Sequence, residues 1–229
     1  MKLITFFKKF FLIIGDIRKM FIIYLPGSFG NEIRYSYYKK KFKKCGTNVI
    51  IDVGVHINGT ELISIGSNVH IDKYCIISTG EKLVGDIKRK PNVAFTGKEG
   101  EIIIGDNIHI VQFSIIMGYG GVIIENNCVL SANSKIYSLT NTAYDLDNKS
   151  KVVSIMPYSQ ANFLLSPVVL NSNVWLGLNT IVMPGTVVKK NSFSTSNAVL
   201  MGKFPENSYI TGNPAKRIRN RFKVSKVKV

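Results

Sequence analysis

Among side chains that exchange a proton near neutral pH, the 229-residue chain has three histidines, His56, His70 and His109. Two of them occupy the same slot of a repeated tetrad, Asn68-Val69-His70-Ile71 and Asn107-Ile108-His109-Ile110, and a third copy, Asn173-Val174-Trp175-Leu176, carries Trp175 there. A residue between two aliphatics of a short strand faces away from the core, so this slot presents its side chain for acid, base or binding work. The cysteines Cys45, Cys75 and Cys128 form neither a C-x-x-C pair nor an even framework, which fits a reducing compartment.

What must position these groups is a six-residue beat of aliphatic residues. It runs through Ile65, Ile71 and Ile77, then Ile104, Ile110 and Ile116, then Ile124, Leu130 and Ile136, and resumes over Leu170, Leu176, Val182, Val188, Ser194 and Leu200. A period of six fits neither a helix nor a single strand, so each hexad is read as one short strand and a corner of a solenoid. The residue four after each aliphatic is small or β-branched, as at Cys75, Ser114, Cys128, Ser134, Thr180 and Ala198, which would fill a narrow triangular prism. Cys75 and Cys128 lie on this compact track and read as core filler. Two places lose the beat, a short slip around Met117-Gly118-Tyr119-Gly120-Gly121 and a long excursion over 138–167. A long irregular loop in a compact repeat is usually functional.

The chain is 45% apolar, enough for one core, with a net charge of +16. Residues 1–50 hold 11 basic and 2 acidic side chains, residues 214–229 hold 7 and none, and residues 51–213 hold 12 of each. The repeat body is neutral and the basicity sits at the ends, which argues against a nucleic-acid groove along the solenoid. Three segments follow: an amphipathic, basic helical extension (1–48), the solenoid (49–213) with its excursion, and a basic C-terminal helix or tail (214–229).

Several linked motifs carry a resemblance. Asn173-Val174-Trp175-Leu176-Gly177, then Met183-Pro184-Gly185, then Gly212-Asn213-Pro214-Ala215-Lys216 occur in that order. Together with the hexads over roughly 50–217 they resemble the hexapeptide-repeat acyltransferase superfamily, the left-handed parallel β-helix. The resemblance implies acetyl-CoA as acyl donor, a carbohydrate acceptor, a homotrimer and a cytoplasmic location. It also implies coenzyme contacts at Trp175, Gly177, Asn213, Pro214 and Lys216. The expected product is an O-acetylated sugar of a surface polysaccharide. The alternatives are N-acetylation of an amino-sugar nucleotide and a catalytically degenerate scaffold.

Direct acyl transfer needs a base for the acceptor proton and a donor for the oxyanion. The histidine that supplies the base in relatives falls on Asn141, which does not accept a proton at neutral pH. The relatives' active-site asparagine falls near Val111 to Phe113, where Gln112 is the polar residue. His109 is therefore the preferred base, with Asn141 left to position substrate, and Gln112, Tyr119, Tyr144 and Asp145 are candidate acceptor contacts. The closely spaced histidine pairs of the family's zinc-dependent branch are missing, so no metal is expected.

At the N-terminus, Leu3, Phe6, Phe7, Phe10, Ile13, Ile14, Ile17 and Phe21 recur at helical spacing, interrupted by charges. The uncharged stretches are far shorter than the ~20 residues of a membrane span, and no cleavage site follows them. Two readings stay open for residues 1–24: an interfacial helix on anionic lipid, or a cap on the open end of the solenoid.

Overall fold

A computed structural model describes residues 2–142 and 162–223, with side chains from Ile13 onward. The hexads wind into a three-sided parallel β-helix. One face stacks Ile63–Ile65, Ile102–Ile104, Val122–Ile124, Val168–Leu170 and Val187–Val188. The second stacks Val49–Ile51, Val69–Ile71, Ile108–Ile110, Val129–Leu130, Trp175–Leu176, Phe193–Ser194 and Ser208–Gly212. The third stacks His56–Asn58, Ile76–Ser78, Ile115–Met117, Lys135–Tyr137, Ile181–Val182 and Val199–Leu200. Equivalent hexad residues are in register, for example Ile65 with Ile104 and Ile71 with Ile110. Both inward tracks are buried, including Ile110, Ile116, Leu130, Cys75, Ser114 and Thr180.

Each turn of the solenoid must bend sharply, and asparagine does most of the bending. Between the first and second faces, Asn48, Asn68, Asn107, Asn127, Asn173, Asn191 and Asn207 all have φ between 53° and 62°. Asparagine visits this left-handed region more readily than most L-residues. Neighbouring amides also bond along the column, Asn68 Nδ2 donating to Asn107 Oδ1 (3.1 Å) and Asn107 Nδ2 to Asn127 Oδ1 (3.0 Å). Between the second and third faces, Gly54, Asn133, Asn179 and Asn197 do the same work, while Tyr74 and Phe113 take positive φ in two rungs.

Among the described residues, the excursions from the beat leave at the third corner, where the chain returns from the third face to the first. The excursion after Tyr137 forms Leu139–Asn141 and Asn162–Leu165, which pair antiparallel. A second excursion, between Ser78 and Ile102 and unforeseen from the sequence, contributes Asp86–Arg89, parallel to Asn162–Leu165. The two are joined by a small apolar cluster of Tyr119, Phe163 and Leu165 with Leu83 and Ile87. The long gap in the beat between Ile77 and Ile104 was the sign of this earlier excursion, but its strand pairs with a segment distant in sequence, so the partner did not show.

The N-terminal helix α1 (Lys2–Tyr24) anchors through Ile22 and Ile23. The next helix, α2 (Gly27–Lys39), closes this end of the prism, its Tyr38 joining the main core together with Phe42. Buried Arg34 ties the pair together, donating to Leu25 O (2.6 Å) and Ile22 O (3.2 Å) at the end of α1 and to Ile51 O (2.7 Å) in the solenoid. Carbonyls at a helix end have no partner within the helix, so the guanidinium satisfies them. The end of the prism is thus closed by α2, which lies beyond the residues 1–24 expected to cap it, and the described part of α1 is anchored by Ile22 and Ile23. Farther toward the N-terminus, Ile13, Ile14, Ile17 and Phe21 are exposed.

One expected element is corrected. Residues 215–220 are not a C-terminal helix: Ala215–Asn220 is a strand antiparallel to Ser208–Gly212. The last strand of the second face would otherwise leave an open row of backbone groups, and the basic segment pairs with it and ends the sheet.

Candidate active site

The outward positions of the second face form one column, built because alternate residues of every strand must face away from the core. It reads Ile50, His70, His109, Val129, Trp175, Phe193 and Tyr209 by register. His109 Nε2 lies 3.1 Å from both carboxylate oxygens of Asp72, the residue that opens the next corner. His70 stacks on His109, with ring centroids 5.2 Å apart and planes 13° apart. Its Nε2 is 3.2 Å from Asp72 Oδ1 and 3.4 Å from Asp52 Oδ2. The result is two imidazoles and two carboxylates on adjacent rungs, with the His109 side chain 45% exposed and so open to a substrate. His70, Asp72 and His109 place donor atoms close enough for a metal ion. His109 Nε2 is satisfied by its hydrogen bond to Asp72, whereas the buried His70 Nε2 lies near both carboxylates but makes no hydrogen bond.

Two rungs beyond His109, and so about 10 Å away, Trp175 stands 46% exposed. Its indole Nε1 donates to Ser131 Oγ (2.9 Å) and its ring meets Phe193 edge-on at 5.6 Å. Tyr209 continues the aromatic run, with Arg219 above its ring at 4.2 Å and Arg221 near Phe193. Gly177 sits where a Cβ would come within 2.5 Å of Ser194 O, so the close approach of successive rungs requires glycine. Asn213 and Pro214 form the exposed turn of the terminal hairpin, with Lys216 exposed one residue into its second strand.

Gln112 lies at the corner after His109, near Asp72. The other candidates are elsewhere. Asn141 ends an excursion strand at the third corner and is exposed. Tyr119 is buried at that corner, its hydroxyl donating to Glu81 (3.1 Å). In one chain that corner is opposite the second face, so these two groups and His109 do not converge within a single prism. Tyr144 and Asp145 lie outside the described residues. Burial raises the thiol pKa of Cys75 to about 12 and of Cys128 to about 11, which leaves both protonated at neutral pH.

Sequence reasoning singled out His109 as a candidate but not the groups the structure sets beside it: Asp72, His70 as its stacking partner, and, farther along the face, the aromatic run of Phe193 and Tyr209. The signal was present: Asp52 and Asp72 each follow an inward isoleucine, Ile51 and Ile71, at equivalent places in successive coils.

The dTDP-4-amino-4,6-dideoxy-D-glucose acyltransferase of Escherichia coli is 31% identical over 182 residues, spanning 80% of this chain and 84% of that protein. The chain belongs to the hexapeptide-repeat acyltransferase superfamily. As a member it is an acyltransferase with a left-handed parallel β-helix, as its motifs imply. WbbJ of Escherichia coli K12, an O-acetyl transferase named for lipopolysaccharide biosynthesis, is 28% identical over 120 residues, 52% of this chain and 61% of that one. The crystal structure of a point variant of AntD, an N-acyltransferase from Bacillus cereus in complex with dTDP and coenzyme A, superposes with a TM-score of 0.64 at 20% identity. It covers 83% of this chain and 89% of that one, a likeness of fold. No family model matches the chain.

Proposed function

We propose that this acyltransferase moves an acetyl group from acetyl-CoA to the amino group of a nucleotide-linked amino sugar, with His109 as the proton acceptor. The observation that carries the reading is the His109–Asp72 pair on an exposed face two rungs from Trp175. Asp72 accepts from the Nε2–H of His109, which fixes the tautomer and leaves the Nδ1 lone pair to take the acceptor proton. The acceptor arrives as an ammonium and first releases one proton to solvent; as the neutral amine then attacks the thioester carbonyl, a second proton passes to His109 and the thiolate of coenzyme A departs. Asp72 stabilises the imidazolium so formed.

Two further observations support an amine acceptor. The relative with which the chain shares 31% of its residues over 182 positions acts on an amino-sugar nucleotide by name. Asp52 and Asp72 also give the site negative charge, which draws an ammonium more strongly than a neutral hydroxyl. A second reading, O-acetylation of a surface polysaccharide sugar, is favoured by the likeness to WbbJ. In this reading the donor would run along Trp175, Gly177 and the Asn213–Pro214 turn, with Lys216 toward its phosphates. A homotrimer, in the cytoplasm, would bring Asn141 and the excursion of one prism against the second face of its neighbour.

The exposed stripe of Ile13, Ile14, Ile17 and Phe21, close to Arg18 and Lys19, is proposed to rest on anionic lipid. The catalytic reading is tested by His109→Ala. Turnover should fall about a hundredfold or more, with acetyl-CoA affinity and oligomeric mass unchanged. Full activity in that variant sinks the assignment. Lys216→Glu should weaken coenzyme A binding, and unchanged affinity would remove Lys216 from the donor site.

A further inference from the structure

Beside the His109–Asp72 pair, the corner column between the second and third faces is broken in an unusual way. Four of its rungs turn on Gly54, Asn133, Asn179 and Asn197, residue types that take positive φ at low cost. Two adjacent rungs turn instead on Tyr74 (φ 59°) and Phe113 (φ 63°). Aromatic residues are poor choices for this region of backbone space, and such outliers gather at functional sites.

The two rings stand in solvent and against each other. They stack with planes 6° apart and centroids 5.7 Å apart, and Tyr74 and Phe113 are 49% and 55% exposed. The Tyr74 ring lies over Gly54, where a Cβ would come within 2.4 Å of it, so the rung below is kept bare beneath the ring. The pair walls a cavity of about 410 Å³ whose other sides are Asp52, Asp72, Lys73 and Gln112. That volume lies within the range of about 300–1,000 Å³ typical of ligand pockets. Asp72 therefore faces two ways: it lines this cavity and it holds His109.

We propose that Tyr74 and Phe113 are the platform for the acceptor sugar. The C–H face of a pyranose, least polar in a deoxy sugar, sheds water against the aromatic pair. Gln112 and Asp72 bond its polar edge, and the reacting group points toward His109. Lys73 at the rim faces the phosphate that joins the sugar to its nucleotide. The proposal rests on the acyltransferase reading of the His109 face and adds the residues that select the acceptor.

The test replaces each ring by the residue the column uses elsewhere: Tyr74→Asn, Phe113→Asn and the double variant, in the full-length protein. Acetyl-CoA and dTDP-4-amino-4,6-dideoxyglucose serve as substrates, and thermal midpoint and oligomeric mass are measured in parallel. The double variant should raise the acceptor KM about tenfold or more while the acetyl-CoA KM stays within about twofold. Its thermal midpoint and mass should match the wild type, because asparagine suits this backbone. An unchanged acceptor KM overturns the platform, as does a fallen midpoint or altered mass, which would make the pair a packing or subunit contact. If the wild type does not acylate the amino sugar, the amine reading fails, and the same variants are then compared with methyl β-galactoside. A tenfold KM rise there supports the platform and an equal KM overturns it. A wild type inactive on both acceptors overturns the platform and the proposed function together.

Discussion

Replacing Asn107 by alanine or by glycine separates the two things that asparagine does at a corner. Its amide bonds to both neighbours in the column, accepting from Asn68 and donating to Asn127, and its backbone sits at φ 56°. Both bonds are exposed to water, so losing them costs about 0.5 kcal/mol each, the low end for a hydrogen bond. Alanine then adds the left-handed penalty of roughly 1–2 kcal/mol, which glycine escapes. Glycine adds instead about 0.5 kcal/mol for the greater freedom of its unfolded chain. The totals are about 2–3 kcal/mol for Asn107→Ala and about 1.5 kcal/mol for Asn107→Gly. At about 2–4 °C per kcal/mol for a chain of this size, alanine should melt several degrees below wild type and a few degrees below glycine. The assay is a thermal ramp at one protein concentration and scan rate, since assembly also sets the midpoint. An alanine variant as stable as the glycine variant, or more so, would refute the reasoning, because in ordinary backbone alanine is the better residue.

Other outcomes follow from the same structure. In the native protein at pH 8, Cys75 and Cys128 should resist a thiol reagent, as burial has raised both pKa values, and rapid labelling of either would contradict the packing. The carboxylate of Glu101 is held below its usual range chiefly by its hydrogen bond from Lys43. A lowered acid pKa contributes stability above the usual glutamate value and loses it as pH falls through the folded value. Lys43→Gln should therefore be less stable than wild type at neutral pH and converge with it on acidification; a gap constant from neutral to acid would sever the link. Substituting Ile17 and Phe21 by glutamine should abolish flotation with anionic vesicles while leaving turnover in solution intact, and equal flotation would remove the lipid proposal.

The solenoid is legible because its core has strict chemistry. An aliphatic every sixth residue and a compact residue four later leave no other placement for Ile104, Ile110, Ile116, Ser114 or Cys128. Asparagine corners were visible three residues after the aliphatics of the first face, as after Ile65, Ile104, Ile124, Leu170 and Val188, and after Leu130, Leu176 and Ser194 of the second, where the breaks at Tyr74 and Phe113 mark a change of character. What the period could not reveal is what lies outside it. Asp86–Arg89 finds its partner Asn162–Leu165 across a large separation in sequence, and nothing local to either segment encodes the pairing. The C-terminal strand was misread for a similar reason, since a run of lysine and arginine is compatible with helix until an open sheet edge competes for its backbone. His109 could be placed from its slot, but its partner Asp72 belongs to the preceding coil and emerges only when the coils are stacked.

The most direct test of the central claim is to incubate the full-length protein with acetyl-CoA and dTDP-4-amino-4,6-dideoxyglucose, follow release of free thiol, and treat the product with mild alkali. The account predicts acceptor-dependent thiol release and an acetyl group that survives alkali as an amide. An alkali-labile product would show an ester and overturn the amine acceptor, and no thiol release above the acceptor-free rate would contradict the account.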